Sequence, residues 1–360
     1  MPLHAQHSSV KTNCMRSLVI AAIIGLLAWS WRDLSLTAVG TAIARWGWRE
    51  GFLFGALNLF ILAAMCWRWS LILRQLQFPV GFGSLILYRM GSNTLSYVTP
   101  GPQFGGEPLQ VYCLAAYQQV PPAAASASVA VDRLIELVGN LMFLTLAGIY
   151  VLPTLPLDTA AVGPALVIMA GVGLTAGLLL GAVASGRKPL SRLAARGIRH
   201  ARWSPKLTRL IEMVPATESL AAPVLTPRHL CWYALAGVVQ WGAFLAELGI
   251  IYTFLGVSLS APALLTLAVA ARLAFLLPLP GGWGLLEAGQ VTAYAGLGGD
   301  PTVAMAACLI MRARDLVLIA AGAGLLTRWL RPLSLEQPKR RLDVTGRRPC
   351  YLSNSIDRER

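Results

Sequence analysis

Charge is scarce in this 360-residue chain: only 13% of residues are Asp, Glu, Lys or Arg, while 56% are apolar and the mean hydropathy is +0.61. Soluble domains carry about 25% charged residues, so an ordinary water-soluble globule is excluded. Histidine is nearly absent, with four in all; His4 and His7 stand near the start, and His200 and His229 flank a basic stretch. The six cysteines, at 14, 66, 113, 231, 308 and 350, include no CxxC pair. Neither a zinc site nor a disulfide framework is therefore expected. There is no GxSxG elbow and no phosphate-binding P-loop, and GGWGLLEAG does not follow a soluble strand as a dinucleotide fingerprint would. No catalytic residue, cofactor or metal is predicted.

What is abundant is apolar sequence. Runs recur at 18–31, 51–73, 85–98, 124–152, 162–183, 229–255, 263–277 and 302–330. They predict an all-α, polytopic integral membrane bundle. The net charge of +14 is concentrated between and after these runs: residues 187–209 hold eight Lys or Arg and no acid, and residues 331–360 hold eight more against four acids. That is the positive-inside pattern of cytoplasmic loops, and a folded basic domain for nucleic acid is missing. Lys11 and Arg16 precede the first run, which reads as an uncleaved anchor. Trp29, Trp31, Trp46 and Trp48 cluster after it, and 38–48 reads either as an interfacial segment or as a loop with anchoring aromatics. Gly173, Gly177 and Gly181 form a four-residue ladder expected to serve helix packing.

Counting crossings constrains the topology. With both termini and the basic loop cytoplasmic, 85–117 must begin and end on one side, and 261–299 on the other. Each is too short for two spans of ~20 residues. About six full spans plus two re-entrant helical hairpins entering from opposite faces, an inverted repeat, satisfy the count. Arg45 and Arg49 run against it, because they fall in a loop placed outside. The expected segments are a cytoplasmic N-terminus (1–17), a first membrane repeat (18–183, hairpin near 85–117), a basic cytoplasmic loop (184–228), a second repeat (229–330, hairpin near 261–299) and a basic cytoplasmic tail (331–360).

Both hairpins carry the same pattern. TPGPQFGGEPL (99–109) is followed by VDRLIEL (131–137), and LPLPGGWGLLEAG (277–289) by MRARDLV (311–317). Glu107 lies 26 residues before Arg133, which is three before Glu136; Glu287 lies 25 before Arg312, which is three before Asp315. Charges are costly inside a bilayer, so their recurrence points to function. Glycines after proline permit tight reversal and leave helix-start amides suited to a phosphate or carboxylate. Glu107 and Glu287 either bind a cationic head group or carry a proton, or cap those amides and pair with Arg133 and Arg312. An Arg can also grip phosphate bidentately. Arg89, Asn93, Gln240, Glu247 and Arg272 are lesser candidates, each expected to be a packed or snorkelling side chain.

GGEPLQVYCL, SVAVDRLIELVGNLMFL, LPLPGGWGLLEAGQV and the RxRD segment together resemble the lysylphosphatidylglycerol synthase transmembrane-region family, across about 18–330. That family includes the flippase-like domain of the multiple peptide resistance factor and hopanoid-associated membrane proteins. The resemblance implies translocation of a lipid or lipid-linked head group between leaflets of a bacterial inner membrane. It places the substrate-binding positions on Gly105, Gly106, Glu107, Asp132, Arg133, Glu136, Gly281, Gly282, Gly284, Glu287, Arg312, Arg314 and Asp315. The soluble aminoacyl-transfer domain of the family's synthases is not found after the last run, so a non-enzymatic role is expected. Two alternatives stand beside it. One is an integral-membrane transferase acting on a polyprenyl-phosphate or hopanoid lipid, with Glu107 or Asp132 as base; the other is a non-catalytic subunit of a lipid-synthesis complex. Expected partners are a phospholipid or other amphiphile, lipid-synthesis enzymes and a second copy of the chain, with no nucleic acid.

Overall fold

The computed structural model describes residues 36–44, 47–99, 105–151, 159–200, 214–276 and 279–330. The expected anchor at 18–31, the Pro–Gly turn at 100–104, residues 201–213 of the basic loop and the tail lie outside them. Among the described residues every regular element is helical. In chain order these are α1 (Leu36–Ile43), α2 (Trp48–Gln75), α3 (Phe82–Val98), α4 (Glu107–Tyr117), α5 (Pro122–Val151), α6 (Thr159–Ala184), α7 (Pro189–His200), α8 (Val214–Ala221), α9 (Pro227–Phe254), α10 (Ala261–Leu276), α11 (Leu285–Gly296) and α12 (Pro301–Leu330), with short 3₁₀ turns at Ala222–Val224 and Pro280–Gly282.

Local chemistry sets many of the ends. Pro122, Pro189, Pro227 and Pro301 each open a helix, where a missing N–H costs nothing. Thr226 caps α9 by accepting from the His229 amide, and Asp300 accepts from the Thr302 amide at 2.8 Å. α3 stops at Val98 because Thr99 precedes Pro100 and is extended (φ −79°, ψ 137°). The segment 38–48 is not a plain loop: α1 packs on α12, and Val39 is buried in the core beside it. The glycine ladder on α6 is corrected as well. Gly173 stands against Leu141 of α5, but among the described residues nothing lies within 4 Å of where a Cβ on Gly177 or Gly181 would stand.

α2, α5 and α9 have the length and apolar composition of membrane-crossing helices. α12 is 30 residues long, but Arg312, Arg314 and Asp315 interrupt its apolar run. Large apolar side chains face outward from the long helices, including Phe52, Leu59, Met142, Leu146, Val238 and Val317. A membrane location follows from this inside-out distribution of apolar surface.

The principal helix contacts are preserved under exchange of α2–α5 with α9–α12. α3 packs on α4 as α10 does on α11, and α4 on α5 as α11 does on α12. Across the halves, α3 packs on α12 as α10 packs on α5, while α2 pairs with α9. The first helix of each hairpin thus leans on the charged helix of the other half. This exchange brings the two sets of charges to one region.

Candidate functional site

The two sequence motifs fold into one repeated arrangement. In the first, the Gly105 amide donates to Glu107 Oε2 at 2.7 Å, and Glu107 Oε1 lies 2.9 Å from Arg133 Nε. In the second, the Gly284 amide donates to Glu287 Oε2 at 2.8 Å, and Arg312 Nε donates to Glu287 Oε1 at 2.7 Å. Each glutamate therefore both caps its helix start and pairs with the arginine of the following helix. The i,i+3 spacing adds Glu136 to Arg133 at 2.9 Å and brings Asp315 to 3.9 Å from Arg312. The glycines are needed for close approach: a Cβ on Gly106 would collide with the Ser92 carbonyl, and Gly284 has φ +80°.

Around this shared frame the halves differ. Asp132 does not pair with its neighbour Arg133. It points inward, accepting from Arg68 Nε at 2.7 Å and Arg89 Nη1 at 2.5 Å. Glu136 Oε2 collects Arg68, Arg89 and Arg133, and Gln240 of α9 takes the remaining contact of Arg68. Arg89, expected to snorkel or pack, is fully buried and ion-paired. Arg68, not among the predicted residues, is equally sealed; a lone arginine in the run MCWRWSL was the available signal.

In the second half Arg312 uses all five of its N–H groups. Besides Glu287 it donates to the carbonyls of Gly281 and Gly282 and to Tyr97 Oη of α3, at 2.6 to 2.9 Å. Gly281 and Gly282 thus present carbonyls to an arginine. No donor of Arg312 remains for a phosphate, so the expected bidentate grip does not fit this residue. Arg314 instead pairs with Glu247 of α9 and with Asp315, and reaches Asn58 of α2.

Between the two sets lies a cavity of about 230 Å³. Its polar wall includes Arg133 and Glu136 from α5, Gln240 and Glu247 from α9, Arg272 from α10, and Arg314 and Asp315 from α12; Met65, Met90, Phe244 and Leu318 are among its apolar lining. Of the predicted residues, Arg133, Glu136, Gly281, Arg314 and Asp315 line it, as do the lesser candidates Asn93, Gln240, Glu247 and Arg272. Asp132, Glu287 and Arg312 are buried behind the wall as its supports. Among the described residues no group of three or more His, Cys, Asp or Glu side chains converges as a metal site would require.

None of the curated proteins matches this chain. The family described as the lysylphosphatidylglycerol synthase TM region matches residues 16–322, which takes in α1 to most of α12 and both charged motifs. The chain belongs to the lysylphosphatidylglycerol synthase transmembrane-region family.

Proposed function

We propose that this protein moves a lipid head group between the leaflets of a bacterial inner membrane, with its two halves arranged as inverted repeats whose hairpins dip in from opposite faces. The observation that carries the reading is the cavity, into whose partly apolar wall both halves bring charged side chains, inside a bundle that is apolar outside. Pockets that engulf whole drug-sized ligands are ~300–1,000 Å³. At about 230 Å³ this one suits a head group, with acyl chains left in the surrounding lipid. Exchange-symmetric packing, with each hairpin leaning on the opposite half, supports rocking of one half against the other as the means of alternating access.

The test is reconstitution in vesicles with head-group-labelled phospholipids and measurement of their exposure in each leaflet. Glu136→Gln and Arg314→Gln, both on the cavity wall, are expected to slow exchange about tenfold or more, as loss of a charge-assisted contact does. Exchange at the rate of protein-free vesicles, or wild-type exchange in both variants, would sink the reading. The transferase alternative draws less support. Asp132, one of its two proposed bases, is held between two arginines and is 1% exposed.

A further inference from the structure

The charges around the cavity do not balance locally. In the first set, Arg68, Arg89 and Arg133 meet Glu107, Asp132 and Glu136, three against three. In the second, Arg312 and Arg314 meet Glu247, Glu287 and Asp315, two against three. The missing positive charge is Arg272, which lines the same cavity. Among the described residues no carboxylate pairs with it and nothing accepts a hydrogen bond from it, and its Nε is buried without a partner. Its guanidinium lies 4.6 Å from the ring centre of Trp241 and 4.0 Å from that of Phe244. Cation–π contact with these two rings, which stand nearly perpendicular to each other, holds the cation in place, and its N–H groups are left without an acceptor among the described residues. The charged groups that act on it are Glu136, Glu247 and Arg314.

An unpaired arginine within a bilayer is costly unless something neutral to the bundle but charged within the cavity completes it. From this polarity we infer that the cavity receives a zwitterionic head group, a phosphodiester joined to an ammonium, with Arg272 as the phosphate receptor and the surplus carboxylate of the Glu247–Asp315 side as the ammonium receptor. The inference rests on the lipid-translocation reading and narrows it to one substrate class. A purely anionic head group would leave the surplus carboxylate unmet, and a purely cationic one would leave Arg272 unmet.

The experiment is native mass spectrometry of the full-length protein in detergent, offered equimolar phosphatidylethanolamine, phosphatidylglycerol and a cationic diacyl ammonium lipid. The wild type is expected to retain phosphatidylethanolamine over both others by about tenfold, the weight of one hydrogen-bonded charge contact. Arg272→Met should abolish that preference and favour the cationic lipid, Arg272→Lys should fall between, and Glu247→Gln should shift retention toward phosphatidylglycerol. Arg272 has no ion pair to orphan, so Arg272→Met should melt near the wild type; if it does not fold, the graded response of Arg272→Lys decides. Retention without head-group preference, or a preference unchanged in Arg272→Met or Arg272→Lys, overturns the inference. Parallel vesicle assays separate the two claims. Movement without selectivity removes this inference alone, selective retention without movement removes the translocation reading alone, and no retention of any lipid removes both.

Discussion

The same sequence motif is built twice and sealed to different degrees. In the second half the Glu287–Arg312 pair is shut away, with side chains 3% and 5% exposed; its counterpart, Glu107–Arg133, is 18% and 13% exposed and adjoins the cavity. The remaining charges invert this. Asp132 with Arg68 and Arg89 forms a closed core in the first half, whereas Arg314 with Glu247 and Asp315 lies on the cavity wall in the second. Each half thus has one staple and one wall, made from non-equivalent residues. Position within a repeat does not assign a role; burial and the count of satisfied donors do.

The largest way to break this comparison is at Asp132. Asp132→Asn removes the closer of the two carboxylates that Arg68 and Arg89, 2% and 0% exposed, share, and leaves them only Glu136 at 3.5 and 3.3 Å. Losing one partner of a buried pair costs about 3–5 kcal/mol, and here two cations are affected by one change. The expected outcome is loss of folded protein, read as a collapsed monodisperse peak and a fallen melting temperature in size-exclusion chromatography. A melting curve like the wild type would show that the first half's core is not a staple.

Next comes the direct comparison of the glutamates. Glu287→Gln should cost about 3–5 kcal/mol, because Arg312, in a sealed site, then keeps only neutral hydrogen-bond partners and the Asp315 carboxylate 3.9 Å away. Glu107→Gln should cost about 1 kcal/mol, because its pair borders the cavity and is partly screened. Thermal unfolding of the two variants side by side measures the difference. Equal losses would mean that the motifs are equally structural and that Arg133 is not a cavity group.

Much of this was legible in sequence. The apolar runs at 51–73, 85–98, 124–152, 162–183, 229–255, 263–277 and 302–330 fall within a few residues of α2, α3, α5, α6, α9, α10 and α12, because long apolar helices announce themselves by composition and proline marks the start of α5, α9 and α12. The spacing from Glu107 to Arg133 and from Glu287 to Arg312 likewise gave pairs that the structure joins. What spacing could not reveal is partnership across the exchange of halves. Asp132 choosing Arg68 and Arg89 over adjacent Arg133 depends on which side of α5 faces inward. Arg314 meeting Glu247, and Tyr97 meeting Arg312, join residues 67 and 215 positions apart. Gly281 and Gly282 also reversed their expected role, since their carbonyls rather than their amides meet the charged group.

The smallest and sharpest comparison uses two adjacent hydroxyls of α3. Ser96 Oγ accepts from the Gly106 amide at 2.9 Å and so serves the first motif; Tyr97 Oη accepts from Arg312 at 2.7 Å, donates to Asp315 at 3.4 Å and so serves the second. One helix therefore ties both motifs together through consecutive residues. The Gly106 amide is buried, so Ser96→Ala leaves a donor with neither partner nor water, at about 1–3 kcal/mol. Tyr97 borders the cavity, where water can replace its hydroxyl, so Tyr97→Phe should cost only about 0.5–1 kcal/mol. Denaturant or thermal titration of both variants gives the ordering. If Tyr97→Phe proved the more damaging, the Arg312 network would depend on the contact between halves rather than on its own hairpin, and the second motif could no longer be read as a staple that stands without the first.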